Sequence, residues 1–233
     1  MCLIWFILLC TISVQAQQTE IIYSGLNKPT SIYATTNHLF VVESGNNRIL
    51  KLDHDGELIA TLGGLGTGDY QFDEPIDIDA TNGLKIYISD YRNNRIQVFD
   101  RRLQFLSTIK GGPAFGGNRR IKPTQLVVND FGELFYYDEA SNSIFKHDEN
   151  GTYRDQFELP QNVEVFDINL RENQLEIIDR RHQKVLLMSQ NGIIGEEFPF
   201  DRELLNEELD QIKVNETIYA LYSNKIEKYD FNQ

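Results

Sequence analysis

Pro75-Ile-Asp-Ile-Asp-Ala80, Lys85-Ile-Tyr-Ile-Ser-Asp90, Asn93-Asn-Arg-Ile-Gln-Val-Phe-Asp100 and Leu103-Gln-Phe-Leu-Ser-Thr-Ile109 follow one another in a single stretch of the chain. Each is a short run of β-branched and aromatic residues, and Gly, Asn and Asp turn positions separate them. Four strands with such short connections form one antiparallel meander. Its two faces are both apolar, so the sheet cannot bury itself alone and needs neighbours of the same kind.

The pattern recurs. Upstream, Leu39-Phe-Val-Val-Glu43 leads into Asn46-Asn-Arg-Ile-Leu-Lys-Leu-Asp53 and Glu57-Leu-Ile-Ala-Thr-Leu62. Downstream, Leu134-Phe-Tyr-Tyr-Asp138 leads into Asn142-Ser-Ile-Phe-Lys146, and Leu175-Glu-Ile-Ile-Asp179 into Lys184-Val-Leu-Leu-Met188. A shortened copy, Thr217-Ile-Tyr-Ala-Leu-Tyr222 and Lys225-Ile-Glu-Lys-Tyr229, ends the sequence. Arg48, Arg95, Ser143, Lys184 and Lys225 are equivalent, at spacings of 47, 48, 41 and 41. An acid stands five residues before the first four of them: Glu43, Asp90, Asp138 and Asp179. A four-stranded unit repeating at this period reads as the blade of an all-β propeller.

The string Gly63-Gly-Leu-Gly-Thr-Gly-Asp-Tyr-Gln-Phe-Asp-Glu-Pro75, with Ile86-Tyr-Ile-Ser-Asp90 and Asn93-Asn-Arg-Ile-Gln-Val-Phe99, resembles the NHL repeat. The likeness is strongest in the first two copies and extends, through the strand pattern, over nearly all of the chain after its leader. It implies a propeller, commonly six-bladed, that serves mostly as a binding surface and in some branches as an enzyme.

Met1 to Ala16 is apolar, and Val14-Gln-Ala16 has the small-residue form of a cleavage site, so residues 1–16 read as a signal peptide of bacterial type cleaved after Ala16. Residues 17–233 then form one propeller domain, secreted or periplasmic, with no stable membrane insertion expected. Both cysteines, Cys2 and Cys10, lie in the leader, which excludes disulfide and thiol chemistry from the mature chain. Against 22 Lys and Arg stand 35 Asp and Glu, a net charge of −13, which argues against a nucleic-acid groove or an anionic membrane surface.

Glu20-Ile-Ile-Tyr-Ser24 resembles the fourth strand of a blade, while the last copy has three strands and lacks a fourth. The amino-terminal strand is therefore expected beside Lys225–Tyr229, closing the ring and hiding both edges. That gives five blades. Six, the alternative, would leave about 36 residues each, shorter than every spacing observed.

The acids before the turns read as acceptors for turn amides, the Asn residues as left-handed turn positions, and each Arg as a bridge to the acid beside it. Gly63 to Gly68 lacks the following helix and Lys-Ser/Thr pair of a phosphate cradle and reads as a flexible crossing. His38, His54, His147 and His182 fall in turns on opposite faces, so no three-His zinc centre is expected. No cofactor or metal site is expected, no catalytic residue is assigned, and catalysis is disfavoured. The rival is a metal-dependent lyase or lactone hydrolase with an axial divalent ion. A ligand (protein, peptide or carbohydrate) is expected over the axial funnel, near Ser31, Asp77, Gln125 and Gln211 on the innermost strands. Around them would stand Arg92, Glu139, Arg180, Arg181 and His182 from the turns, and Tyr70, Phe115, Arg119 and Arg120 from the two longest crossings. These read first as solvated turn residues, and the sharper alternative for the paired arginines is a cationic rim for an acidic partner or an anionic glycan. Asn150-Gly-Thr152 and Asn215-Glu-Thr217 are read as turn chemistry and not as glycosylation sites.

Overall fold

A computed structural model describes residues 18–81, 83–112, 120–171, 173–199, 209–214 and 217–230. It has five four-stranded antiparallel sheets. Blade 1 comprises β2 (Pro29–Ala34), β3 (Leu39–Glu43), β4 (Arg48–Leu52) and β5 (Leu58–Gly63). Blade 2 comprises β6 (Pro75–Asp79), β7 (Lys85–Asp90), β8 (Arg95–Asp100) and β9 (Phe105–Lys110). Blade 3 follows with β10 (Pro123–Val128), β11 (Leu134–Asp138), β12 (Ser143–His147) and β13 (Tyr153–Glu158). Blade 4 is built from β14 (Val165–Arg171), β15 (Gln174–Asp179), β16 (Lys184–Ser189) and β17 (Ile194–Pro199). In blade 5, β18 (Leu209–Val214), β19 (Thr217–Tyr222) and β20 (Lys225–Asp230) are joined by β1 (Gln18–Ser24) as the outermost strand. The first strand of each blade is the innermost: β2 adjoins β6 and β18, and β10 adjoins β6 and β14.

Alternation along the strands divides the core among the gaps between blades. In β7, Ile86 and Ile88 point into a cluster shared with Phe40, Val42 and Ile49 of blade 1. Tyr87, between them, points the other way, against Leu126, Leu134 and Tyr136 of blade 3. In β3, Val41 goes to a third cluster with Leu221 and Ile226 of blade 5. This is the period-2 rule with both faces buried. It explains why all five residues of β3 and of β11 are buried.

The ring closes as the sequence predicts. β1 runs antiparallel to β20 with Ile21 opposite Glu227, Tyr23 opposite Ile226 and Ser24 opposite Lys225. The register slips between Ile21 and Tyr23, a bulge that bends the closing strand. Ile22 and Tyr23 pack on the cluster between blades 5 and 1. Opposite this strand lies Gly56, at φ +86°, in the β4–β5 turn. A Cβ there would stand 1.9 Å from the Ile22 carbonyl oxygen. Gly151 occupies the corresponding turn of blade 3 at φ +78°, with its nearest neighbour 3.8 Å from a built Cβ. Both glycines relieve left-handed strain, but Gly56 alone also admits the closing strand.

Gly151→Ala should therefore cost about 1 kcal/mol in urea denaturation, the left-handed penalty. Gly56→Ala should cost at least about 1 kcal/mol more than that and open the amino-terminal strand to limited proteolysis. Equal losses in the two variants would contradict the seating of β1 against this turn.

Candidate functional site

Chain entering a blade arrives from the outermost strand of the previous one and must cross the face to reach the innermost strand. On that face the turns between the second and third strands meet the crossings. In blades 1 to 4 the residue before the third strand is left-handed: Asn47 at φ 52°, Asn94 at 54°, Asn142 at 49° and Gln183 at 53°. Asn supplies this conformation at low cost, and Gln183 shows that another residue is tolerated.

In blades 1 to 4 the acid closing the second strand is fully buried: Glu43, Asp90, Asp138 and Asp179. One carboxylate oxygen takes the backbone N–H of the crossing just before the innermost strand. Glu43 Oε1 accepts from Asn27 at 2.8 Å, Asp90 Oδ1 from Asp73 at 2.8 Å, and Asp179 Oδ1 from Glu164 at 3.2 Å. Asp138 Oδ1 accepts from the Lys122 amide in the same way. The second oxygen takes a side-chain donor of the turn or third strand. Those donors are Arg48 Nε, Arg95 Nε at 2.7 Å, Ser141 Oγ at 2.6 Å, and His182 Nδ1 at 2.5 Å. Amides just past the acid return the bond, as Gly45 to the Asn27 carbonyl at 3.1 Å and Arg180 to the Glu164 carbonyl at 2.9 Å. The acids thus accept from the crossing as well as from the turn.

The crossing from Gly63 to Glu74 is bonded along its length, where the sequence suggested flexibility. Buried Arg95 donates to the carbonyls of Thr67 at 2.8 Å, Gly68 at 2.9 Å and Gln71 at 2.8 Å. Asn93 holds the Gly66 carbonyl at 2.8 Å. The three carbonyls satisfy the guanidinium beyond its bond to Asp90, which is what makes its burial tolerable.

At the centre, Ser31, Asp77 and Gln125 are each the third residue of an innermost strand, and Gln211 holds that position in the backbone of β18. Asp77 links three blades: its Oδ1 accepts from Ser31 Oγ at 2.5 Å and its Oδ2 from the Leu126 amide at 2.8 Å. Gln125 Oε1 is buried and accepts no hydrogen bond among the described residues. The fifth member of this ring is Asp167, which the sequence reading missed. Blade 4 opens Val165-Phe-Asp167 instead of with Pro, but counting back from Asp179 would have found it.

The rim residues are brought to the same face. Arg92 pairs with Glu74 at 2.5 Å, and Arg181 with Glu164 at 3.6 Å. The Arg180 guanidinium lies 4.1 Å from the centre of the Phe166 ring. Lys122 Nζ lies 4.3 Å from that of Tyr91. The Tyr91 hydroxyl donates to Glu139 at 2.6 Å, and this bond, with partial burial and the Glu139 charge, pushes its pKa up to about 12. Arg120 is exposed at the entry to blade 3. His182 is held by Asp179, away from any ligand set. Tyr70 departs from the expectation: its ring packs on Phe99 and Phe105 and its hydroxyl accepts from the Phe105 amide at 3.0 Å, placing it over the outer strands of blade 2. Phe115 and Arg119 lie outside the described residues, as does the side chain of Gln211. Among the described residues no three His, Cys, Asp or Glu converge as a metal site.

Residues 72–99 match the NHL repeat family. Human NHL repeat-containing protein 3 is 30% identical over 79 residues, 32% of this chain and 23% of its own length. The mouse protein of that name is 32% identical over 87 residues, 34% of this chain and 25% of its own length. The match therefore spans about a quarter of those relatives. Among solved structures, virginiamycin B lyase from Staphylococcus aureus superposes with a TM-score of 0.63 at 14% identity, covering 93% of this chain and 75% of that one. U3-55K gives a TM-score of 0.64 at 13% identity over 87% of this chain and 60% of that one. At these identities the likeness is one of fold.

Asp90→Ala leaves Arg95 buried without its carboxylate and should cost about 3–5 kcal/mol in urea denaturation. Burial alone would raise the Glu43 carboxyl, but Arg48, the Asn27 amide and Asn46 outweigh it and hold the group below its ordinary range. Asp179 is lowered in the same way, burial being outweighed by His182 and the Glu164 amide. A lowered carboxyl contributes stability that is complete above its unfolded pKa and is lost as pH falls through the folded one. The urea midpoint should accordingly drop on acidification below about pH 4, and more shallowly in Glu43→Gln. A Glu43→Gln curve parallel to that of the unaltered protein would contradict this.

Proposed function

We propose that this chain, a five-bladed propeller of the NHL-repeat kind, is an exported binding module whose partner docks on the face of the crossings through an acidic surface. The carrying observation is the rim from blade 2 to blade 4, where Arg120, Lys122, Arg180 and Arg181 gather in a chain of net charge −13. Arg180 and Lys122 lie on aromatic rings rather than against carboxylates, while Glu139 and Glu164 are engaged by Tyr91 and Arg181. Cations stacked on rings keep their outward donors for a partner. The polar groups nearer the axis are committed to structure: Asp77, Asp79 and Ser31 bond across blades.

An acidic peptide surface and an anionic glycan both fit this chemistry. Export follows from the leader ending at Ala16, which would leave Gln17 as the first residue. The enzymatic reading, a metal-dependent lyase or lactone hydrolase, draws on the shared fold with virginiamycin B lyase. A tightly held stoichiometric divalent ion in the purified protein would favour it.

Rim charges of this kind contribute about 1 kcal/mol or less each. Replacing Arg120, Arg180 and Arg181 together by alanine should weaken retention on immobilised poly-aspartate or heparin roughly tenfold or more, with unchanged circular dichroism. Retention of the protein on one column and not the other tells acidic peptide from glycan. Elution of the triple variant at the same salt as the unaltered protein would overturn the proposal.

A further inference from the structure

On the opposite face, the turn between the first and second strands of one blade meets the third-to-fourth turn of the next. Between blades 2 and 3 this junction is bridged by Lys85 Nζ, which donates to the Glu149 carbonyl at 2.5 Å. Between blades 3 and 4 it is bridged by Asn129 Nδ2, which donates to Gln190 Oε1 at 3.0 Å. Between blades 1 and 2 it opens into a cleft of about 350 Å³. Thr36, His38 and Phe40 of blade 1 line it, with Lys85, Ile86 and Arg101 of blade 2.

The cleft has an apolar floor and a positive rim. Phe40 and Ile86 are almost fully buried beneath it, at 3% and 2% exposure. Arg101, Lys85 and His38 surround them; the Lys85 ammonium is drawn to the Glu149 carbonyl and His38 is held toward its neutral form, so the charge at the rim is that of Arg101, and no carboxylate belongs to the described lining. That is unusual where acids outnumber bases 35 to 22. The acids of the adjoining turns face their own backbone. Asp53 Oδ1 accepts from the amides of Asp55 at 3.0 Å and Glu57 at 2.7 Å. Asp100 Oδ1 accepts from those of Arg102 and Gln104, both at 2.8 Å. His38 sits below its ordinary pKa, through burial first and then through Lys51 and His54, against the weaker opposing pull of Asp53. The blade 1 wall is firm: Thr35 Oγ1 donates to the His38 carbonyl at 2.9 Å, and His54 Nε2 bonds the Thr35 carbonyl at 3.0 Å.

We propose that this cleft is a second binding site, for a small aromatic carboxylate whose flat apolar body rests on Phe40 and Ile86 and whose charge meets Arg101. The size falls within the range of small-molecule pockets, and the mix of apolar floor and few placed polar groups is their usual composition. It is independent of the rim on the other face and of any partner bound there.

The probes are 2-naphthoate and its neutral amide, 2-naphthamide, titrated into the full chain by calorimetry with amide chemical-shift mapping. The acid should bind one per chain, perturbing the amides of Thr36, His38, Gly83 and Ile86. Arg101→Gln, at an exposed position that leaves folding intact, should weaken the acid roughly tenfold and leave the amide unchanged. Shifts confined to other parts of the protein, no binding at millimolar acid, equal affinity for acid and amide, or an unaltered affinity in Arg101→Gln would each overturn the proposal.

Discussion

The fold depends on a buried carboxylate that catches incoming chain. A propeller must repeatedly carry its backbone across one face, from the rim of one sheet to the axis of the next. Those crossing amides belong to no ladder, and an unpaired buried N–H is costly. Glu43, Asp90, Asp138 and Asp179 supply the missing acceptor. Their own burial is tolerable because the second oxygen also finds a donor. Blade 5 has Tyr222 where the others have the acid, and the crossing that enters it lies outside the described residues. Where the chain leaves it, the Leu26 amide bonds the Asn224 carbonyl at 3.1 Å, as Gly64 does that of Asn47 and Leu159 that of Asn142.

This division of labour bears on function. Asp77, Asp79, Arg95 and the four capping acids bond blades and crossings to one another. Residues the fold does not need are then free to be selective. On the crossing face those are the arginines and the lysine of blades 2 to 4, two of them lying flat on aromatic rings. On the other face, the junction of blades 1 and 2 keeps a cleft beside its Tyr33–Thr81 hydrogen bond, where two other junctions are bridged turn to turn by side chains. The NHL-like repeat specifies the platform, and its departures from repetition are where the proposed binding surfaces lie.

Much of this was legible because strand alternation and turn chemistry are local. The blade count followed from the spacing of Arg48, Arg95, Ser143, Lys184 and Lys225, and closure from the mismatch between the first strand and the last copy. The pairing of Glu43 with Arg48 and of Asp90 with Arg95 was also readable, each five residues apart across a tight turn. What escaped depends on distant segments meeting. Gly63 to Gly68 looks mobile by composition, and only Arg95, more than twenty residues on, shows it to be clasped. Tyr70 looks like a funnel residue until its ring is seen on Phe99 and Phe105. Asp167 was missed because blade 4 enters its innermost strand without the proline that marks blades 1 to 3. The cleft between blades 1 and 2 joins turns some forty-five and some sixty-five residues apart, and no sequence pattern announces that pairing.

Native-state hydrogen exchange of the crossing amides tests the carboxylate catch most directly. If the capping acids hold the crossings, the amides of Asn27, Asp73, Lys122 and Glu164 exchange as slowly as those in the neighbouring second strands, although none of the four lies in a ladder. In an Asp179→Ala chain the Glu164 amide, and none of the other three, should then lose its protection. Exchange of all four at the rate of exposed loop amides in the unaltered protein would contradict the account.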